Sequence, residues 1–159
     1  MHTQIANTSL VIQDIKVAEK SARRAIKLGK MNEATEKPEP YFLLGQILLK
    51  SRSRPGAGQN WQQAITEFQK VTEIDPNHIN AHRYIGELAL LKENYPLAAE
   101  AFKSLTRIMP YQPRFYLKLC QAYQRSDQKT EAIEAAERAV KIDPLLSEAH
   151  ELLGELYID

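Results

Sequence analysis

The sequence has little of what disulfide-linked, nucleotide-binding and membrane-spanning proteins need. Its 159 residues include one cysteine and six glycines. One cysteine cannot form an internal disulfide, so the sequence predicts a reducing, cytoplasmic compartment. Six glycines give little support to a phosphate-binding architecture. The longest apolar runs, such as 88–91, are far too short to cross a membrane, and residues 1–4 lack the charged start of a secretory signal.

A charge excess of one sign is also missing. Lys and Arg number 21 against 20 Asp and Glu, which gives a formal net charge of +1. Nucleic-acid-binding domains usually carry a clear basic excess, so no nucleic-acid partner is expected. Hydrophobic residues make up 43% and charged residues 26% of the chain, as in ordinary folded soluble proteins.

Three prolines that recur at a constant interval indicate an internal repeat. An alanine stands twelve residues before each proline, and an apolar–small pair recurs at the same period. The prolines are Pro76, Pro110 and Pro144, the alanines are Ala64, Ala98 and Ala132, and the pairs are Ile85-Gly86, Leu119-Cys120 and Leu153-Gly154. Agreement of so many positions at one period is typical of a repeat protein.

Each repeat has the pattern of two helices joined by a short polar turn. The first helix of the third copy carries a stripe at spacings of 3, 4 and 7, formed by Tyr116, Leu119, Cys120 and Tyr123. Its second helix carries the same spacing in Ala132, Ile133, Ala136, Ala139 and Val140. Gly45 and Gly86 are expected where the two helices approach closely, which predicts that Gly86→Leu destabilises the protein.

At these positions the sequence resembles tetratricopeptide-repeat (TPR) proteins. That family has an aromatic residue, Leu-Gly and a second aromatic on the first helix, then Ala, an aromatic, a small residue and a closing proline. One copy matches at Tyr41, Leu44, Gly45, Trp61, Ala64, Phe68 and Pro76; the next at Ile85, Gly86, Tyr95, Ala98, Phe102 and Pro110; the third at Tyr116, Leu119, Tyr123, Ala132, Ala139 and Pro144. The resemblance implies an all-α fold, a right-handed superhelical solenoid of antiparallel helix hairpins.

The repeat pattern divides the chain into an N-terminal segment and an array. Residues 1–37 are expected to form a capping helix or a degenerate repeat, and residues 38–159 the TPR array. The expected repeats are 38–78, 79–112, 113–146 and a half repeat, 147–159. Seven extra residues separate the helices of the first repeat, so a surface loop is expected at 50–60, either as a tolerated insertion or as a contact for an acidic partner.

The two ends of the array differ in charge. Residues 16–37 carry seven Lys/Arg and three Asp/Glu, whereas 147–159 carry four acidic residues and no Lys or Arg. Ala18, Ala22 and Ala25 resemble the alanines of a second helix. The two end helices are expected to act as polar covers of the solenoid, unless a neighbouring molecule or further chain covers the last one.

The residues that could support catalysis or metal binding are better explained by roles in the packing of the helices. His78 and His82 have the spacing of two ligands on one helix face. However, His82 and His150 occupy the position that Tyr116 fills in the third repeat. Cys120 replaces the glycine of the helix contact, where it is expected to be a small buried residue. We therefore expect no enzyme activity, no metal and no cofactor.

The outward stripe of the first helices is the predicted peptide-binding groove on the concave face of the solenoid. Its predicted residues are Phe42, Gln46, Asn80, Arg83, Tyr84, Glu87, Arg114, Lys118, Gln121 and Arg125. The sequence thus predicts a non-catalytic scaffold or adaptor that binds a peptide, with an acidic or C-terminal segment of another protein as ligand.

Three alternatives stay open. In the first, the chain self-associates, with the acidic half repeat of one copy docked on the basic N-terminal helix of another. In the second, it is a regulatory domain of a larger protein. In the third, it is a co-chaperone or a secretion chaperone. The carboxylate clamp of TPR co-chaperones is matched by Arg114 and Lys118, whereas Phe42, Gln46 and Tyr84 stand where that family has Lys, Asn and Asn.

Overall fold

The computed structural model describes residues 2–31, 36–50 and 60–158, with side chains described from Asp14 onward except at Met31. Within these ranges the chain forms eight α-helices and no strand, as the sequence predicts. The helices are α1 (His2–Met31), α2 (Pro38–Lys50), α3 (Asn60–Ile74), α4 (Ile79–Leu91), α5 (Tyr95–Ile108), α6 (Pro113–Gln124), α7 (Lys129–Ile142) and α8 (Ser147–Ile158). The predicted loop lies between α2 and α3, and its residues 51–59 are outside the described ranges.

The chain divides into two compact units, Met1–Ala81 and His82–Asp159. In the first unit, α2 and α3 pack together around the fully buried ring of Phe68. The backbone of Gly45 lies against this ring: a Cβ built on Gly45 would be 2.6 Å from Cε1 of Phe68. α1 packs on α2 and contributes the buried Ala22.

The second unit contains two clusters of buried apolar side chains. The larger cluster joins the sides of α5, α6 and α7 around Phe102 and Leu105, which are 1% and 0% exposed. The smaller cluster contains Tyr116, Ala139 and Ala149, and joins α6 and α7 to α8. From α5 to α8, neighbouring helices in the chain are therefore also neighbours in space, as expected of a repeat array.

Recurring local sequences set the helix ends. Asp75 and Asp143 each stand before one of the repeating prolines, and the Oδ1 of each accepts the backbone N–H of the second residue after it, at 3.1 Å. The side chain of Asn94 accepts the N–H of Leu97 at 3.3 Å and caps α5, whose second residue is Pro96.

The turn inside each complete hairpin of the second unit contains a residue with left-handed backbone. These residues are Glu93, with φ 58°, and Asp127, with φ 56°. They are separated by the same interval as Pro76 and Pro110, so the turn geometry repeats with the sequence. Left-handed backbone is costly for a residue with a Cβ, although Asp tolerates it better than Glu.

Replacing Glu93 by glycine is therefore expected to stabilise the protein. Relief of the left-handed strain outweighs the larger entropy of the unfolded chain, and we expect a gain of roughly 0.5–1 kcal/mol in the free energy of unfolding. Urea denaturation measures it. Lys92→Gly, one residue earlier at a position without positive φ, should instead lower stability. A Glu93→Gly variant no more stable than the parent would contradict the assignment of strain.

Candidate functional site

The ten residues of the predicted groove are divided between the two units. Phe42, Gln46 and Asn80 belong to the first unit. Arg83, Tyr84, Glu87, Arg114, Lys118, Gln121 and Arg125 belong to the second.

The outward stripe of α6 is the most basic part of the site in the second unit. The inward side of α6 is committed to the core, because Tyr116, Leu119 and Cys120 are buried. The opposite side presents the α6 stripe, defined as Arg114, Lys118, Gln121 and Arg125. Within it, Nζ of Lys118 donates a hydrogen bond to Oε1 of Gln121 at 3.2 Å.

The three cations of the α6 stripe are exposed and have no carboxylate partner among the described residues. Ion pairs in the described ranges join other residues, among them Arg23–Glu19, Lys30–Glu36, Lys70–Glu73 and Arg83–Glu87. Arg114, Lys118 and Arg125 thus present positive charge that the described part of this chain does not neutralise.

The groove residues of α4 are more engaged than those of α6. Nη1 of Arg83 lies 4.0 Å from Oε1 of Glu87, and its guanidinium lies 5.4 Å from the ring centroid of Tyr84. Both charged side chains remain about half exposed, at 43% and 50%. A ligand anion at Arg83 would therefore compete with Glu87.

The helix α8, which contacts α6, supplies negative charge. It carries Glu148, Glu151 and Glu155 and no Lys or Arg. α8 packs against both α6 and α7.

Burial, with a smaller contribution from the charge of Glu155, raises the pKa of the Cys120 thiol to about 11. This thiol is fully buried and lacks the acidified character of a nucleophile.

In the first unit, Phe42 also contributes to packing. Its ring centroid lies 5.6 Å from that of Phe68 and 4.8 Å from that of His78. Nδ1 of His78 accepts the backbone N–H of Ala81 at 3.1 Å, so His78 caps the start of α4. Gln46 is half-buried and Asn80 is exposed.

His150 repeats a contact made by Tyr116. The hydroxyl of Tyr116 donates to the carbonyl of Pro110, and Nε2 of His150 donates to the carbonyl of Pro144, at 3.3 and 2.9 Å. The two donors are one repeat apart, and so are the two acceptors. This shared contact explains why a histidine stands where the third repeat has a tyrosine. Among the described residues, no group of three or more His, Cys, Asp or Glu is arranged to hold a metal ion.

A cavity in the first unit was not predicted from the sequence. It has a volume of about 440 Å³ and is lined by one stripe from each of three helices, including Arg23, Ile26 and Lys30 of α1, Tyr41, Leu44 and Leu48 of α2, and Gln63, Thr66, Glu67 and Lys70 of α3. No local motif signals it, because it exists only where three separate helices meet.

Acidic groups balance the cations of this cavity. Burial raises the pKa of Glu67, while the charges of Arg23, Lys30 and Lys70 oppose that rise. The Tyr41 hydroxyl donates to Oε1 of Glu36, and burial together with this bond raises the pKa of Tyr41 well above its usual value. The cavity therefore lacks the uncompensated charge found on the α6 stripe.

The structure thus has the form of helix hairpins arranged in chain order, a helical repeat protein. Two family models, both described as tetratricopeptide repeat, match residues 89–156 and 56–113. Together they cover residues 56–156, more than half of the chain. The chain belongs to the tetratricopeptide-repeat family.

Solved structures with this fold are similar to the chain over most of its length. MamA 41-end from Desulfovibrio magneticus RS-1 is 28% identical, with a TM-score of 0.62, over 91% of this chain and 84% of that one. YrrB, described as a TPR protein with an unusual peptide-binding site, is 19% identical, with a TM-score of 0.62, over 91% and 69%. The first TPR of Spaghetti (RPAP3), bound to the HSP90 peptide SRMEEVD, is 15% identical, with a TM-score of 0.60, over 78% and 93%.

No curated protein matches the sequence. Of the helices in the described ranges, none has both the length and the apolar character that crossing a membrane requires.

Proposed function

We propose that the protein is a non-catalytic scaffold that binds an acidic or C-terminal peptide segment of a partner protein on the outward face of its first helices. The observation that carries this proposal is the α6 stripe, whose three exposed cations lack a carboxylate partner in the described chain. A cytoplasmic location, suggested by the single buried cysteine, belongs to the same proposal.

The chemistry of the stripe favours carboxylates. Arg114 and Lys118 are one helical turn apart, so two ligand oxygens can be bound by neighbouring donors. A charge-assisted hydrogen bond contributes roughly 1.5–3 kcal/mol, and less where solvent screens it, as it does at these exposed side chains. The acidic stripe of α8 beside α6 would orient the rest of the peptide by repelling its acidic side chains.

The solved neighbours support peptide binding by this fold. One of them holds the acidic peptide SRMEEVD, and another is described by its peptide-binding site. This chain retains only Arg114 and Lys118 of the clamp that the resemblance implies, because Phe42, Gln46 and Tyr84 replace the other members. We therefore propose acidic-peptide binding in general rather than a co-chaperone role.

The double substitution Arg114→Glu with Lys118→Glu tests the site. The probe is fluorescently labelled SRMEEVD with a free C-terminus, followed by fluorescence anisotropy. We expect the parent protein to bind it, and the double variant to bind at least about 10-fold more weakly while its helix content and melting temperature stay the same.

The matched control is Lys103→Glu with Arg107→Glu on α5. This pair has the same spacing and the same change of charge, and its side chains are also exposed. It lies, however, on the second helix of its repeat and not on a first helix. It should weaken binding only slightly, through the change in net charge. Equal losses in both double variants, or no binding by the parent protein, would contradict the proposed site.

A further inference from the structure

The helix α8 exposes the face that, in the first helices α2 and α4, is covered by the second helix of the repeat. A Cβ built on Gly86 would lie 2.8 Å from the Phe102 ring, and one built on Gly45 would lie even closer to Phe68. Gly154 occupies the equivalent position in α8, yet nothing lies within 4 Å of its Cβ position. Tyr157 follows on the same face and is 64% exposed, although its hydroxyl donates to Glu137. Among the described residues, no second helix covers this face.

The helix α1 has the alanine pattern of a second helix, which is the kind of helix that covers a first helix in the other repeats. Its Ala18, Ala22 and Ala25 have the spacing of the alanines in the second helix α7, namely Ala132, Ala136 and Ala139, all of which are fully buried. In α1, only Ala22 is buried; Ala18 is half-buried and Ala25 is exposed.

Exposed apolar side chains lie next to Ala25. Val17 is 59% and Leu28 is 49% exposed, and with Ser21 and Ala25 they form one stripe along α1. Val17 and Leu28 are eleven residues apart, which is close to the length of α8. The stripe is therefore long enough to cover the open face of α8.

The two helices have opposite charge. Residues 16–30 of α1 contain six Lys/Arg and one acidic residue, whereas α8 contains three acidic residues and no Lys or Arg. Charge of opposite sign favours this pairing over the pairing of two α1 or two α8 helices.

We propose that α8 of one molecule packs against α1 of a second copy, as the first and second helices of a composite repeat. Each molecule carries one α8 face and one α1 face, so the contact is heterologous and links copies head to tail. This association goes beyond the proposed function, because it uses neither the α6 stripe nor a peptide ligand.

Light scattering coupled to size exclusion tests the association. For the parent protein we expect a mean mass that rises above 18.2 kDa with concentration and falls back at high ionic strength, since salt screens the charges. A parent protein that stays at 18.2 kDa up to its solubility limit at low ionic strength would overturn the proposal, and would indicate that a different helix covers α8.

Two blocking variants test the geometry. Gly154→Arg places a large cation on the α8 face, where the structure has room for it. Val17→Asp with Leu28→Asp places two anions on the α1 stripe. Each variant alone should remain monomeric. Their equimolar mixture should give a dimer of twice 18.2 kDa and no larger species, because one intact α1 face and one intact α8 face remain.

Circular dichroism should show the helix content of the parent in each blocking variant, so that a monomeric mixture cannot be attributed to misfolding. Tyr111→Asp, at an exposed residue outside both faces, is the control and should associate like the parent. Self-association of either blocking variant, or a monomeric mixture, would overturn the head-to-tail arrangement. Binding of the SRMEEVD probe should be unchanged in the blocking variants, so this proposal and the proposed function fail independently.

Discussion

Replacing Gly86 by leucine is expected to lower the free energy of unfolding by roughly 1–3 kcal/mol. Even the first added carbon would lie 2.8 Å from Cε2 and from Cζ of Phe102. Phe102 is 1% exposed and belongs to the main cluster of the second unit, so its ring has no solvent to move into. The strain must therefore be taken up by moving α4 away from α5. Thermal and urea denaturation of the monomer measure the loss.

Gly154→Leu is the matched control, because the two glycines are equivalent in the repeat. A Cβ at Gly154 meets nothing within 4 Å, so only the higher helix propensity of leucine remains, and we expect a gain of up to about 1 kcal/mol. The measurement is made at low concentration, where association does not contribute. Equal effects at the two positions would mean that the ring of Phe102 does not limit the space at Gly86.

Cys120 is expected to react with iodoacetamide more than about 100-fold more slowly than an exposed cysteine at mildly alkaline pH. The thiol is fully buried, and burial together with the charge of Glu155 raises its pKa to about 11, so very little thiolate is present. Since only the thiolate reacts, low accessibility and low thiolate fraction act in the same direction.

The variant Glu134→Cys supplies an internal reference, because Glu134 is exposed on α7. Mass spectrometry should show rapid addition of one label and very slow addition of the second, with Cys120 modified only after denaturation. Glu155→Gln should change the rate at Cys120 little, since burial is the larger cause of the raised pKa. Comparable rates at the two cysteines in the native protein would show that Cys120 is reached by solvent.

Much of the fold follows from the sequence alone, because a repeat gives the same information several times. The regular recurrence of Pro76, Pro110 and Pro144 predicted the hairpins, and the short turns between their helices lie at 92–94 and 125–128. The spacing of Tyr116 and Cys120 predicted the buried side of α6, which in turn predicted that its cations face outward. These predictions are local, since helical periodicity alone determines which residues share a face.

Other features depend on which helices meet, and no local pattern contains that information. Gly86 and Gly154 are equivalent in sequence, yet a phenylalanine ring fills the space beside the first and nothing fills the space beside the second. The cavity in the first unit combines Arg23, Tyr41 and Glu67 from three helices, so its lining was not predictable. The sequence by itself determined the repeat, its helices and their polar faces, because these depend on residues a few positions apart. The tertiary structure alone decided which faces are covered and which stay open, because that depends on contacts between distant segments.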